Sequence, residues 1–432
     1  MTELPTLKPV AISGMGLVTS LGHGVTENWT KLLEYQSGVR AISRFCCDEL
    51  PVGIAATLPA RFDNKSSRER ASEAAVLAVE EAIDQAGLDR SMFRSLEVVI
   101  AAAPFDHDWD QRLERYSLLP DGTYGVEAKN VEPAAESFTL DFNEPQWKFM
   151  RDATISSLWW DMNRRFGIER PPVMVHTACS SGNSAIQIAQ EIIHVGQAER
   201  VLVLGFDASV TPESLTKFAL LGALSARDGD PAQAARPFSI DRGGFVMGEA
   251  VGALVLESTS ALKRREHPAI AGIVGAGESV DVYHRTRSDP EASAIVTAIE
   301  RALHSAALAP SDIDFINAHG TGTVENDLSE AVGICKVFGT ACGEIPVTSN
   351  KSQIGHCLSA AGVCEAIFTA LTCQTGILPP TLNCRSIDPE IPLNIVRKVE
   401  QGRSIKFACS NSFGFGGQNV VLVLAAADVV ME

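Results

Sequence analysis

The most constraining feature of this sequence is the alternation of short, largely apolar runs with longer alanine-rich ones. Runs at 10–14, 98–103, 173–177, 200–205, 252–257, 270–275, 313–318, 345–350 and 419–424 have the length and Val/Ile/Leu content of buried strands. Many lead into helical patterns, at 72–86, 181–195, 291–306, 327–338 and 360–375. Runs in which apolar residues fill consecutive positions, rather than alternating with polar ones, have no solvated face, so helices must cover both sides of their sheet. The alternation therefore predicts an α/β fold.

A repeat is visible inside the alternation. Residues 173–195 run as strand, TACSSG turn and small-residue helix, and residues 346–373 run as strand, SNKSQIGH turn and small-residue helix. Each places a reactive residue type, Cys179 or His356, at the start of its helix. This predicts two pseudo-equivalent halves, 1–267 and 268–432, joined at the polar KRREHP stretch. Residues 104–150 break the pattern: they are acidic, aromatic and irregular, as a functional or mobile insertion would be.

Charge and cysteine spacing narrow the partners. With 36 Lys and Arg against 53 Asp and Glu, the net charge of −17 argues against nucleic acid. No apolar stretch approaches the ~20 residues of a membrane span. The opening MTELPTLKPVAISGMG lacks the basic and apolar regions of a secretory leader. The ten cysteines include no CxxC pair, so no metal site is expected. The expectation is a cytoplasmic enzyme whose cysteines are reduced and mostly core residues.

The chemistry-bearing residues sit where strands end. Cys179 lies where a strand turns sharply into a helix, a position whose free N–H groups and dipole favour a thiolate and predict a lowered thiol pKa. His319, in NAHGTGT, follows the strand at 313–318 and points toward the crevice where open α/β sheets bind ligands. His356 follows another strand, with Lys351 five residues earlier; Glu330 lies eleven residues after His319. The run CSNSFGFGGQN can present backbone N–H groups to an oxyanion. Taken singly, a cysteine or histidine is more often a core residue; the shared setting separates these from that reading.

In this order, TACSSG, NAHGTGT, SNKSQIGH and NSFGFGG, with RPFSIDRGGFVMGEAVGALVLE at 236–257, resemble the decarboxylating, thiolase-fold β-ketoacyl-acyl-carrier-protein synthases. The resemblance spans nearly the whole chain. It implies a thiolase-like five-layered αβαβα fold from the two halves, and a homodimer or a heterodimer with a related subunit. It implies acyl carrier protein as partner and no cofactor beyond the phosphopantetheine that the substrate carries. Cys179 becomes the acyl-accepting nucleophile, with His319 and His356 the donors to the enolate left by loss of CO₂. Lys351 is expected to pair with Glu330 and order the histidines. Phe415, beside Gly416, matches the gate residue, and its N–H forms the oxyanion hole with that of Cys179. Thr321 and Thr323 match contacts to the pantetheine arm; Phe218 matches an acyl-channel wall, and Phe105 in the insertion is a second candidate. Lys65, Arg68 and Arg70 form the best local basic cluster for docking an acidic carrier.

Three departures stand out. Gln418 replaces a usual Thr, AAAPFDHDWDQR replaces a glycine-rich turn, and Gly222 stands where a basic docking residue is common. They leave acyl length, starter group and carrier open. The alternatives are a coenzyme A-dependent thiolase, for which Cys409 is the only candidate second cysteine, and a non-catalytic chain-length partner, which would lack the nucleophile.

Overall fold

The computed structural model describes residues 8–103, 154–225, 229–284 and 287–432. Ten strands carry its sheet: β1 (Val10–Thr19), β2 (Glu97–Ala101), β3 (Val173–Val175), β4 (Arg200–Asp207), β5 (Ala250–Ser258), β6 (Ala271–Val280), β7 (Phe315–Asn317), β8 (Pro346–Thr348), β9 (Phe407–Phe413) and β10 (Gln418–Ala426). Seven helices build the layers: α1 (Ser67–Gln85), α2 (Ile155–Phe166), α3 (Ser181–His194), α4 (Pro212–Leu220), α5 (Ser293–Ser305), α6 (Val324–Phe338) and α7 (Ala361–Thr375).

The strand order is β3-β2-β4-β5-β1-β6-β10-β9-β7-β8. The second five repeat the first with every number raised by five, mirrored about the β1–β6 contact. Directions repeat as well. The β3–β2–β4 and β8–β7–β9 trios are parallel, and the remaining pairs are antiparallel. The two-residue strand Asn394–Ile395 closes the edge at β8.

Side-chain alternation explains the layers. In β2, Val98 and Ile100 pack with α1 and α2, whereas Val99 and Ala101 face α3. In β10, Val421 and Val423 pack with α5 and α6, whereas Leu422 and Leu424 face α7. Both faces of each half-sheet are thus buried, and α3 and α7 share the middle, giving the five layers. Their crossing needs glycine on both sides. A Cβ on Gly182 would stand 2.6 Å from the Val363 nitrogen, and one on Gly362 would stand 2.6 Å from the Asn183 nitrogen.

Two expectations are corrected. Phe407–Phe413, read only as the start of a glycine-rich run, is a central strand. The cysteines are not all reduced: a disulfide joins Cys335 in α6 to Cys342. The insertion at 104–147, with Phe105, lies outside the described residues. Among the described residues, no helix is long and apolar enough to cross a membrane.

Candidate active site

The turn after β3 and the turn after β8 have the same build. His176-Thr177-Ala178-Cys179-Ser180-Ser181-Gly182 aligns with His356-Cys357-Leu358-Ser359-Ala360-Ala361-Gly362. Ala178 at φ 49° and Leu358 at φ 44° both take the left-handed conformation, a strained choice for a residue with a side chain. Hydroxyls hold the first turn: Ser181 Oγ accepts from the Thr177 N–H at 2.9 Å and donates to the Ala178 carbonyl at 2.6 Å. Cys179 and His356 therefore arrive from corresponding corners of the two halves and line one cavity of about 420 Å³.

His319 enters the cavity from the end of β7. Its ring centroid lies 5.2 Å from that of His356, at 83° between planes. The His319 and Gly320 N–H groups each donate to Glu330 at 2.8 Å, on different carboxylate oxygens. Asn411 Nδ2, from β9, donates to the same carboxylate at 3.0 Å. His356 is held through its backbone: its N–H donates to the Val246 carbonyl at 2.7 Å, and its carbonyl accepts from Gly248 at 2.9 Å. The Phe245 ring stands edge-on to His356 at 5.2 Å.

The expected Lys351–Glu330 pair does not form. Lys351 Nζ pairs with Glu365 on α7, both at most 2% exposed. Glu330 has spent its oxygens on the His319 turn and Asn411, which leaves no role for the ammonium. The signal for Glu365 was in the sequence, as the lone charge in the apolar run AAGVCEAIFTALTC. Burial raises the Glu365 carboxyl to about 7 against the pull of Lys351.

Burial sets the protonation states. It pushes the Cys179 thiol up to about 11, opposed by the Phe415 N–H and the Lys351 charge. The lowered thiol pKa expected from the helix terminus is thus overturned, because desolvation outweighs the local donors. Both imidazoles are held well below their usual range, first by burial and then by Lys351, so each is neutral near pH 7. A neutral imidazole keeps one N–H to donate.

Phe415 and Gly416 line the cavity beside Cys179, and Gly416 has φ 92°. Thr321 and Thr323 line it too, with their hydroxyls 2.9 Å apart. Phe218 packs edge-on against Phe245 at 5.4 Å, within the apolar cluster that contains Cys179, Leu215 and Met247. The basic cluster fares less well as a docking site. Arg70 is buried, 3.6 Å from Glu249, and its N–H groups serve the Lys65 and Ala208 carbonyls, so it cannot meet a partner. Arg68 holds Asp161 at 2.8 Å, and Lys65 pairs with Glu73. Cys409 lies in β9 at 1% exposure, opposite Ile316 and Val423, with its thiol pushed up to about 12.

Sequence reading missed Asp207 as well as Glu365. Asp207, at the end of β4, accepts from the Ser359 N–H at 3.4 Å and the Ser209 N–H at 3.1 Å. Ser359 occupies in the second turn the place Cys179 has in the first, and its N–H there meets a buried carboxylate.

The sequence models for the N-terminal and C-terminal domains of beta-ketoacyl synthase match residues 7–261 and 270–385. A 3-oxoacyl-[acyl-carrier-protein] synthase 2 from Coxiella burnetii is 33% identical over 424 residues, covering 96% of this chain and 98% of its own. A putative mitochondrial 3-oxoacyl-[acyl-carrier-protein] synthase from Schizosaccharomyces pombe is 33% identical over 430 residues, with the same coverage. Among solved structures, a type II PKS ketosynthase bound to a hexaketide, in complex with its acyl-carrier protein, superposes with TM-score 0.83 at 29% identity, covering 97% of this chain and 100% of that one. A beta-ketoacyl synthase from Burkholderia phymatum gives 0.82 at 29% identity, with the same coverage.

Proposed function

The chain belongs to the β-ketoacyl synthase family, and on that premise we propose that it joins an acyl group held on Cys179 to a malonyl unit on acyl carrier protein. CO₂ is lost and a 3-oxoacyl thioester is released. The observation that carries this reading is the meeting of one cysteine and two neutral histidines in one cavity.

The steps follow from the residues. Cys179 Sγ attacks the incoming thioester, its bond to the acyl carbon forms, and the bond to the carrier sulfur breaks. The thiol proton leaves with the departing thiol. The tetrahedral oxyanion takes donors from the Cys179 and Phe415 N–H groups, which become useful only as charge develops. A malonyl thioester then enters. Breaking its bond to the carboxylate sends the electron pair into the thioester carbonyl, and the resulting enolate oxygen accepts N–H bonds from His319 and His356. The enolate carbon attacks the acyl carbon, and Cys179 leaves as thiolate and regains a proton. Burial and Lys351 disfavour the imidazolium that proton abstraction would create, so these histidines are weak bases that serve as N–H donors, which favours decarboxylation as the source of the carbanion. Thr321 and Thr323 would hold the pantetheine arm, and Phe218 would wall the acyl group. Lys351, with its charge reaching Cys179 and both histidines, is a positioning and tuning residue, as is Glu330 through the His319 turn.

A thiolase reading would need a second reactive cysteine, and Cys409 is buried in the strand layer away from the cavity. The same family resemblance supports a dimer, through the β3 edge, which among the described residues pairs only with β2.

The test is intact-mass analysis with acyl-carrier thioesters, alongside CO₂ release from a malonyl thioester. Wild type gains one acyl mass, and Cys179→Ala gains none. Cys179→Gln still releases CO₂, whereas His319→Ala and His356→Ala each lose about 10²–10³-fold of that release. Acylation of Cys179→Ala would refute the assignment.

A further inference from the structure

Two of the ten cysteines are joined, and the place of the bond has a consequence for the histidines. Cys335 lies in the last turn of α6, and Cys342 lies in the short turn Gly339–Gly343 that follows. Their Cα atoms are 5.1 Å apart, inside the window of about 4.4–6.8 Å that a disulfide spans. Cys342 is 7% exposed, whereas Cys335 is only partly buried and open to a small reagent. Of the other eight cysteines, only Cys46 and Cys47 are not buried.

β7, α6 and β8 form one crossover, and both histidines hang from the end opposite the disulfide. At that end α6 holds the His319 turn. Glu330 accepts the His319 and Gly320 N–H groups, and Asp327 accepts those of Gly322 and Phe238 at 3.1 and 2.7 Å. Ser349, just past β8, donates to the Gly320 carbonyl at 2.6 Å, and Lys351 and His356 follow it. Cys335 lies five residues past Glu330, about 7.5 Å along the helix axis. The disulfide thus ties the helix that carries Glu330 to the chain that enters the strand leading to His356. Little else secures that join. It reads GTACG, with Gly339, Thr340 and Gly343 exposed and Gly339 at φ 59°. The nearby Lys336–Glu291 pair, at 2.6 Å, is exposed and contributes little. A helix end in such a stretch frays when its staple is opened.

We propose that Cys335 and Cys342 are a reversible oxidation site whose closure speeds malonyl decarboxylation and leaves acyl loading unchanged. The effect on activity rests on the condensing reading above; the oxidation itself does not. The oxidant is a low-molecular-weight disulfide. The Cys335 thiolate attacks one of its sulfurs, the reagent's S–S bond breaks, and a small thiolate leaves. The Cys342 thiolate then attacks Cys335 Sγ in the mixed disulfide and expels the second small thiolate. Two cysteine thiols are oxidised, one small disulfide is reduced to two thiols, and these take up the two cysteine protons. In the reduced chain the end of α6 is freed, and Glu330 holds the His319 turn less firmly. Acylation of Cys179 draws on the N–H groups of Cys179 and Phe415, which α6 does not hold, so that step is spared.

The test treats the enzyme with glutathione disulfide or with a phosphine reductant, removes the reagent, and measures three things on each form. Denatured in iodoacetamide, the oxidised chain should take up eight groups and the reduced chain ten. CO₂ release from malonyl-loaded acyl carrier protein should fall about fivefold or more on reduction. Acyl loading should stay within about twofold between the two forms. The double variant Cys335→Ser/Cys342→Ser should take up eight groups after either treatment and release CO₂ at the rate of the reduced wild type after both. Uptake of ten groups after glutathione disulfide would show that the site does not oxidise and overturn the proposal. Equal CO₂ release from the two forms would make the bond a staple for stability alone and also overturn it. So would a redox response that survives in the double variant, which would move the site to another thiol, or a loss of acyl loading that matches the loss of CO₂ release. No CO₂ release from either form would overturn the coupling together with the condensing reading, and the thiol count would tell that failure from a failure to oxidise.

Discussion

Cys179 sits under opposing influences whose balance is measurable. Burial holds the thiol at about 11, against the Phe415 N–H and the Lys351 charge. The thiolate is the reactive form, so its fraction, and the alkylation rate by iodoacetamide, should rise about tenfold per pH unit from pH 7 to 10. A rate that levels off near pH 8 would show that the local donors win. Lys351→Met should slow alkylation at every pH, since a positive charge near the sulfur is lost. The partner of Lys351 can be tested separately. Removing one member of a buried pair costs about 3–5 kcal/mol, because the other is left uncompensated. Glu365→Leu should therefore recover part of the stability lost in Lys351→Met, whereas Glu330→Leu should add its own loss. Recovery with Glu330→Leu instead would restore the pairing expected from the sequence. That expectation failed for a physical reason. The resemblance matched Glu330 to the pairing position, and only the packing shows that Glu330 is engaged by three N–H donors while Glu365 faces Lys351.

Helices α3 and α7 connect chemistry to packing, because each begins at a reactive corner and they cross where both have glycine. Gly182 lies three residues past Cys179, and a Cβ there would meet the backbone of Gly362 and Val363 at 2.6–2.8 Å. Backbone cannot rotate away as a side chain can, so Gly182→Ala must push the helices apart, at about 1–3 kcal/mol. The acyl-loading rate should then fall further than the small drop in Tm predicts, as the shift moves Cys179 relative to His356. Loading at the wild-type rate would show that the crossing is not coupled to the site. Much of this level was legible in the sequence. Consecutive apolar residues in the strand runs announce a two-sided burial, and the TACSSG and SNKSQIGH turns announce the repeat. β9 was not legible, since Ser410, Asn411 and Ser412 read as a polar turn. All three are buried in the strand layer, where the Ser410 carbonyl accepts from Asn183 on α3 and Asn411 Nδ2 donates to Glu330. A buried strand with internal polar partners looks like a loop until those partners are known.

At the scale of the whole molecule, the two ends of the sheet differ. The β8 end is covered by Asn394–Ile395, whereas among the described residues β3 has a neighbour only at β2. Val173 is 41% and Met174 39% exposed, and successive strand residues point to opposite faces, so both faces of this edge show apolar side chains. A free, apolar edge is an aggregation hazard unless something pairs with it. Pairing with the same edge of a second copy across a two-fold axis satisfies the ladder and covers both faces at once, in a closed dimer that cannot propagate. The edge also bears on chemistry, because only His176, Thr177 and Ala178 separate the end of β3 from Cys179, so anchoring β3 anchors the strained turn. Met174→Lys should therefore convert a dimer to a monomer in light scattering. It should also lower the acyl-loading rate several-fold, although Met174 does not line the cavity. A monomeric variant that loads at the full rate would separate assembly from catalysis. A variant that stays dimeric would place the interface on another surface.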